Sequence, residues 1–568
     1  MKFWFYAESM KVSKINNPLN LIPQIDNFEK TEGFCFINKS FLLVSPAVFA
    51  QECAVFAEQM AICNFSVSCA ASLPPNSNPE EPFVIIEADG SPKPENDAAS
   101  VPASRQDESY SIEIKKEGVF IKAGQKAGAF YALQTLRQLL MTAANEADKF
   151  AELAATNEEI FESPEDYEME QDADTYGLKL CCCKITDQPN FEWRGFMLDT
   201  VRHYFSVRFI KKLLDIAALH KLNRFHWHLT DDQGWRIPVE DYPNLIKIGS
   251  VQPDPRHQMR DTIVKKDEFY SIEQIKEVIE YAAARHILVV PEIETPGHAS
   301  AILAAYPELG CYGAFYQVEG RYGVFDDVLC AGNDEIFNLI DSALKTVAGV
   351  FPGPYLHIGG DECPHVRWET CPKCQNRMKN LGLSSANQLQ SWITTEVCAL
   401  VKKYNKIPIG WDEILDNSDK FSLNEEAVVM SWRGTEGGIT AAKLNHKVIM
   451  CPQTAGCYLD FPHLQNAEEP GLHNFATVKM SYSYSPIPED FPKENEGFVL
   501  GGQGNLWTEL VTSPRWAEYM LFPRLCAMAE SLWLNPAKKD FENFAKRLKT
   551  HKERLDNLDV LYYKGKLE

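Results

Sequence analysis

"YLHIGGDECP", Tyr355 to Pro364, is the stretch on which the fold turns. A short apolar run of strand composition passes through two glycines into the adjacent carboxylates Asp361 and Glu362. Neighbouring like charges repel, and a carboxylate in a cleft has its pKa disturbed, so the pair costs stability unless chemistry uses it. A solvated turn is the bland reading, because the chain has 79 acidic residues to distribute. The two readings separate on whether other apolar strands end in the same way.

Seven other strand candidates surround it: "GFMLD" from Gly195, "RFHWHL" from Arg224, "ILVVPEI" from Ile287, "IPIGW" from Ile407, "AVVMSW" from Ala427, "KVIMCP" from Lys447 and "VLGGQGNLW" from Val499. Helical segments such as "SVRFIKKLLDIAALHKL" and "SIEQIKEVIEYAAARH" lie between several of them. Fully apolar strands alternating with helices imply a parallel sheet covered on both faces. Eight such units predict a (β/α)8 TIM barrel with insertions over residues 187–568, closed by a C-terminal helical tail, with its active site at the C-terminal ends of the strands.

The strand ends collect polar and aromatic residues. The first strand is preceded by Arg194 and ends "LDTVRHY"; the others run into "HLTDDQGWR", "PEIETPGHA", "GWDE", "SWRG", "GCYLDF" and "NLWTE". Taken singly, a Trp is usually core, His298 is a satisfied hydrogen-bonder and Arg194 an ion-pair partner. Their joint placement changes the reading. Trp411, Trp432 and Trp507 beside acids and an arginine suit a sugar, whose ring faces stack on indoles while its hydroxyls take charge-assisted hydrogen bonds.

At 568 residues the chain exceeds one hydrophobic core, and 45% hydrophobic content fills two or three. Residues 1–143 read as a smaller α+β domain. "FCFINKSFLLVS" and "PFVIIEA" have strand composition, "SYSIEIKKEGVFIKAG" alternates about Glu117-Gly118 like a hairpin, and Phe130, Leu133, Leu136 and Leu140 fall at helical spacing. Residues 144–186, with "ESPEDYEMEQDADTYG" at their densest, read as an acidic linker or surface insertion. A net charge of -23 argues against a nucleic-acid or anionic-membrane partner.

No run of about 18 apolar residues indicates a spanning helix, and "MKFWFYAESMKVSKINN" lacks a signal-peptide core. With 16 cysteines and a "CCC" run at Cys181 to Cys183, reduced thiols and a cytoplasmic setting are expected. "CPHVRWETCPKC" places Cys363, Cys371 and Cys374 just after the acid pair. C-x2-C is half of a zinc site, no second half stands nearby in the sequence, and the expectation is a loop of buried thiols without metal or cofactor.

The blocks "WRGFMLDTVRHY", "HWHLTDDQGWR", "PEIETPGHA", "HIGGDE", "GWDE", "SWRG", "YLDF" and "NLWTE" resemble, in order and at barrel spacing, those of glycoside hydrolase family 20, the β-N-acetylhexosaminidases. The resemblance covers about Asp187 to Trp533, and the segment ending "AGAFYALQTLRQLL" is similar to the family's accessory domain. It implies exo-acting, retaining release of a terminal β-linked N-acetylhexosamine from a glycan or glycoconjugate, with no protein nucleophile, because the substrate's own 2-acetamido oxygen attacks the anomeric carbon. By the resemblance Glu362 is the general acid and then base. Asp361 takes the acetamido N–H and stabilises the oxazolinium, with the repulsion between the two acids keeping Glu362 protonated and Asp361 ionised. Tyr458 holds the acetamide oxygen, Trp411, Trp432 and Trp507 wall the sugar, Arg194, Asp231, Asp460 and Glu509 bind ring hydroxyls, and His298 is a pocket residue. Three alternatives remain at this point: a retaining glycosidase with Asp460 as nucleophile, a non-catalytic glycan-binding barrel, and a related enzyme that releases a disaccharide.

Overall fold

A computed structural model describes residues 19–73, 82–90, 108–156, 177–251, 268–416, 421–465, 468–472 and 474–568. The chain divides into two compact units, one drawn from residues up to 188 together with Asp540–Asp559, the other from residues 189–539 and 560–568.

The first unit is built on a seven-stranded sheet. Its strands are β1 (Asn27–Ile37), β2 (Ser40–Val44), β3 (Ser66–Ala70), β4 (Phe83–Ala88), β5 (Tyr110–Lys115), β6 (Gly118–Ala123) and β7 (Leu178–Asp187), in the order β1-β7-β5-β6-β4-β2-β3. The expected hairpin is β5–β6, with Lys115 opposite Gly118, so the turn is Lys116-Glu117, one residue earlier than the sequence suggested. The helix expected over Phe130 to Leu140 runs from Lys126 to Thr156, and Phe130, Leu133, Leu136 and Leu140 are its buried stripe.

The expected linker at 144–186 is corrected at both ends. Its beginning is helix as far as Thr156, and its end is β7, seated between β1 and β5. β7 contains "CCC", and its burial alternates on either side of that run, Leu178 and Leu180 buried about exposed Lys179, then Cys183, Ile185 and Asp187 buried about exposed Lys184 and Thr186, with the phase changing at Cys182–Cys183. Residues 157–176, the body of the acidic stretch, lie outside the described residues, as does the expected signal-free start at 1–17. The tail is corrected too. The helix Phe541–Asn557 belongs to the first unit, where Arg554 donates to the Asn20 carbonyl (2.9 Å) and Arg547 to that of Leu21 (2.6 Å).

The second unit is the barrel. Its strands are β8 (Trp193–Asp199), β9 (Arg224–His228), β12 (Leu288–Glu292), β13 (Tyr355–His357), β14 (Ile407–Trp411), β15 (Val428–Ser431), β16 (Val448–Met450) and β17 (Val499–Leu506). They close into a parallel ring by pairing β17 with β8, and a short ladder, β10 (Thr230–Asp231) with β11 (Gly234–Trp235), sits above β9. All eight expected strands are present. Their continuous apolar character follows from burial on both faces, by side chains inside and helices outside. Helix starts are chemically marked: Ser206 accepts the Phe209 N–H to begin Val207–Leu219, and Ser271 with Gln274 forms a capping box for Ile272–Ala283. Among the described residues no helix is long and apolar enough to cross a membrane.

Candidate active site

Beyond β13 the chain turns sharply inward. Gly359 (φ 69°) and Gly360 (φ 101°) adopt left-handed conformations, and a side chain on either would collide, with the Glu294 carboxylate and the Ile414 methyl respectively. These two glycines lift the next two residues into the barrel mouth. Asp361 is buried at 8% exposure, whereas the Glu362 side chain is 41% exposed. Glu362 (φ 45°) and His298 (φ 46°) both hold left-handed backbone without being glycine. Such conformations cost about 1–3 kcal/mol each and persist where the surroundings over-determine them. The two residues face each other: His298 Nε2 is 3.8 Å from Glu362 Oε2 and 3.7 Å from Asp361 Oδ2.

The electrostatics are organised around that histidine. Its Nδ1 meets Asp232 Oδ2 at 3.0 Å and Asp231 Oδ1 at 3.3 Å. Burial opposes its charge, but these acids and Asp361 hold its pKa well above the usual range, which favours the imidazolium. Asp361 is pushed up to about 6, chiefly by burial; His298 works against that rise, and Glu292, Glu362 and Asp231 add to it. Asp361 is the acid withdrawn from water, and its buried Oδ1 meets no hydrogen-bond donor.

Beneath the acids, Glu292 accepts a hydrogen bond from the Trp411 indole (2.9 Å), lies 2.8 Å from His357 Nδ1, which takes the Gly359 N–H, and pairs with His228. Trp411, fully buried, is thereby fixed as floor. Above it lies a cavity of about 360 Å³ lined by Asp361, Glu362, His298, Arg202, Trp411, Trp432, Tyr458, Trp507 and Glu509, with Gln453, Phe461, Leu472 and Asn474. Trp432 and Tyr458 stack with ring centres 6.1 Å apart and planes 15° apart, and Trp411 and Trp507 lie 5.9 Å apart. The Trp432 indole donates to Glu413 (2.8 Å), whose pKa burial, Asp361 and Asp412 push up to about 9.

Most of the residues singled out from sequence therefore meet in one cavity. Asp231 and Asp460 stand just behind its lining. Asp231 holds both His298 and Arg202 (2.8 Å). Asp460 is buried with no side-chain hydrogen-bond partner, and burial and the neighbouring Glu509 carry its pKa well above the usual carboxylate range, against the backbone N–H groups of its own residue and Trp507.

Arg194 is a correction. It is the second residue of β8, at the opposite end of the barrel, where its guanidinium donates to the carbonyls of Lys221 (2.9 Å) and Phe191 (2.8 Å). The arginine in the cavity is Arg202, three residues past the end of β8. It is bound to Asp231, to Asp199 (3.2 Å) and to Gln233 (2.9 Å), and lies 4.0 Å from Glu509. Burial opposes its charge, yet Asp231, Glu509 and Asp199 hold its pKa well above the usual value. The signal was in "LDTVRHY" itself, because only the residues after a barrel strand reach the functional mouth. Asp232, Glu292 and Glu413, which orient His298, Trp411 and Trp432, were also missed; each sits in a quoted strand-end block. The missing partners of the C-x2-C pair are in the structure as well: Cys311 and Cys330, far away in sequence, stand beside Cys371 and Cys374.

The model for glycosyl hydrolase family 20, catalytic domain, matches residues 191–536, and that for glycosyl hydrolase family 20, domain 2, matches residues 18–157. A beta-hexosaminidase of Porphyromonas gingivalis is 42% identical over 460 residues, 81% of this chain and 55% of that protein, so the chain spans little more than half the length of this relative. A beta-hexosaminidase of Akkermansia muciniphila is 29% identical over 78% of this chain and 83% of its own. Among solved structures, the exo beta-N-acetylglucosaminidase of Vibrio harveyi in complex with N-acetylglucosamine superposes with a TM-score of 0.78 at 28% identity, covering 96% of this chain and 78% of its own. The N-acetyl-beta-hexosaminidase of Streptomyces plicatus gives 0.76 at 26% identity, covering 97% of each chain.

Proposed function

Since the chain belongs to glycosyl hydrolase family 20, we propose that it is an exo-acting, retaining β-N-acetylhexosaminidase that removes terminal β-linked N-acetylhexosamine from glycans. The carbonyl oxygen of the substrate's acetamide attacks C1 as Glu362 delivers a proton to the departing glycosidic oxygen, closing an oxazolinium ring. Glu362 then takes a proton from water, which attacks C1 from the face the leaving group vacated, and the configuration is retained. Asp361 accepts the acetamide N–H and balances the positive ring. Tyr458 donates to the attacking oxygen, and the tryptophans exclude water. Arg202, Asp460 and Glu509 take the hydroxyls of the sugar.

The observation that carries this reading is the Asp361 carboxylate, with one buried oxygen lacking any donor. A buried acceptor left unmatched costs about 1–3 kcal/mol, and an acetamide N–H is the donor the reaction brings. Asp460 is a poor candidate for an attacking carboxylate, because burial holds it toward its neutral form and a nucleophile must be ionised. The test compares aryl N-acetyl-β-glucosaminide with aryl β-glucoside. Rapid hydrolysis of the first and near inertness of the second, with a thiazoline mimic of the cyclised intermediate binding far more tightly than product sugar, is expected. A 2-fluoro glycoside that left a covalent adduct on Asp460, with weak thiazoline binding, would overturn the mechanism.

A further inference from the structure

Outside the sugar cavity, four cysteines converge from two barrel loops. Cys371 is the N-cap of the helix Pro372–Leu381 and Cys374 lies in its first turn, both buried on the loop that leaves the catalytic pair. Cys311 and Cys330 come from the long loop after β12. There a single antiparallel bridge joins Gly310 to Leu329, leaving Cys311 and Cys330 on either side of it, and the Cys330 N–H donates to the Leu309 carbonyl (2.9 Å).

The sulfur positions are specific. Cys330 Sγ lies 3.6 Å from Cys374 Sγ and 3.8 Å from Cys371 Sγ, Cys311 Sγ lies 3.9 Å from Cys374 Sγ, and all four fall within 4.8 Å of one another. These separations are well beyond a disulfide's roughly 2.05 Å. Four thiolates at about 2.3 Å from a tetrahedral ion stand about 3.8 Å apart, and three of the six sulfur pairs lie at 3.6–3.9 Å. The backbone agrees independently. A side chain at Gly332 would run into the Lys373–Cys374 peptide, so the two loops meet only because this residue is glycine. Trp368, fully buried between the two cysteine pairs in sequence, donates its indole N–H to the Leu329 carbonyl (2.9 Å) and packs the loops together.

We propose that Cys311, Cys330, Cys371 and Cys374 form a tetrathiolate site holding one zinc ion, which clips the loop after β12 to the loop after β13. Thiolates are soft ligands that select zinc over magnesium or calcium, and four of them leave no open position for a reacting water, so the ion is structural. One clipped loop carries His298 and the other carries Asp361 and Glu362. The ion thus braces the two segments whose strained residues face each other across the active site.

The test is metal analysis of the full chain purified without chelator from zinc-supplemented cells. About one zinc per chain, with an X-ray absorption edge fitted by four sulfurs at about 2.3 Å, is expected. The double variant Cys371→Ser/Cys374→Ser should lose the zinc and melt at a lower temperature, while Cys69→Ser, an exposed cysteine of the first unit, should keep it. If the double variant does not fold, Cys311→Ser, at the half-exposed edge of the cluster, should show faster zinc transfer to a chromogenic chelator than the unsubstituted protein. Substoichiometric zinc with free thiols, disulfides within the cluster, or stoichiometric iron would each overturn the assignment, whatever the enzyme's activity.

Discussion

Lowering the pH tests the electrostatics of the acid pair most directly. Asp361 must be ionised to balance the oxazolinium, and its pKa is pushed up to about 6 by burial, with Glu292, Glu362 and Asp231 adding to the rise. A group of pKa about 6 is about 90% ionised at pH 7 and about 10% at pH 5, so kcat/KM should fall roughly tenfold between those values and tenfold for each further unit. His298 does not produce this limb, because the surrounding acids hold its pKa well above the usual histidine range. It does set where the limb falls: its charge, 3.7 Å from Asp361 Oδ2, favours the carboxylate. His298→Asn removes that charge, so the pKa of Asp361 rises and the limb moves toward neutral pH. The assay is kcat/KM for an aryl N-acetylglucosaminide, whose own groups do not titrate there, across about pH 4.5 to 8.5 at constant ionic strength. A profile flat down to pH 4.5, or a limb that moves to lower pH in His298→Asn, would refute the assignment of the charge-balancing role to Asp361.

Glu362→Gln keeps the shape and removes the proton; hydrolysis of a glycan with a poor leaving group should fall about 10²- to 10⁴-fold, and less for an activated aryl glycoside. Parallel rates to within a few-fold of the unsubstituted enzyme would remove Glu362 from the acid role. Arg202→Lys loses the fork that joins Asp231, Asp199 and the cavity, and losing one or two charge-assisted hydrogen bonds worth about 1.5–3 kcal/mol should cut kcat/KM about 10- to 100-fold. Arg194→Lys, at the far end of the barrel, should lower the melting temperature while leaving KM unchanged; the reverse pattern between the two arginines would contradict their placement.

The sequence by itself determined the barrel, because period, composition and the length of each apolar run are local properties of the chain. Eight fully apolar strands have one common arrangement, and its chemistry gathers where strands end. That logic located the acid pair, the three tryptophans, His298, Tyr458 and Glu509 at one cavity. Applied strictly it also favours Arg202 over Arg194, since only one of them follows its strand.

Tertiary structure alone decided what depends on burial and on distance between remote segments. Which of two adjacent acids is withdrawn from water is set by the turn at Gly359 and Gly360 against Glu294 and Ile414, and adjacency in sequence says nothing about it. β7 was hidden because "LKLCCCKITD" pairs with strands about 70 and 150 residues away, leaving its position in the sheet to contacts invisible in the segment. The half zinc site at "CPKC" had its complement in Cys311 and Cys330, brought alongside by the packing of Gly332 against the Lys373–Cys374 peptide and by Trp368. Local pattern fixes elements because it acts through neighbouring residues. Charge state and metal geometry are fixed by groups that the folded chain alone makes neighbours.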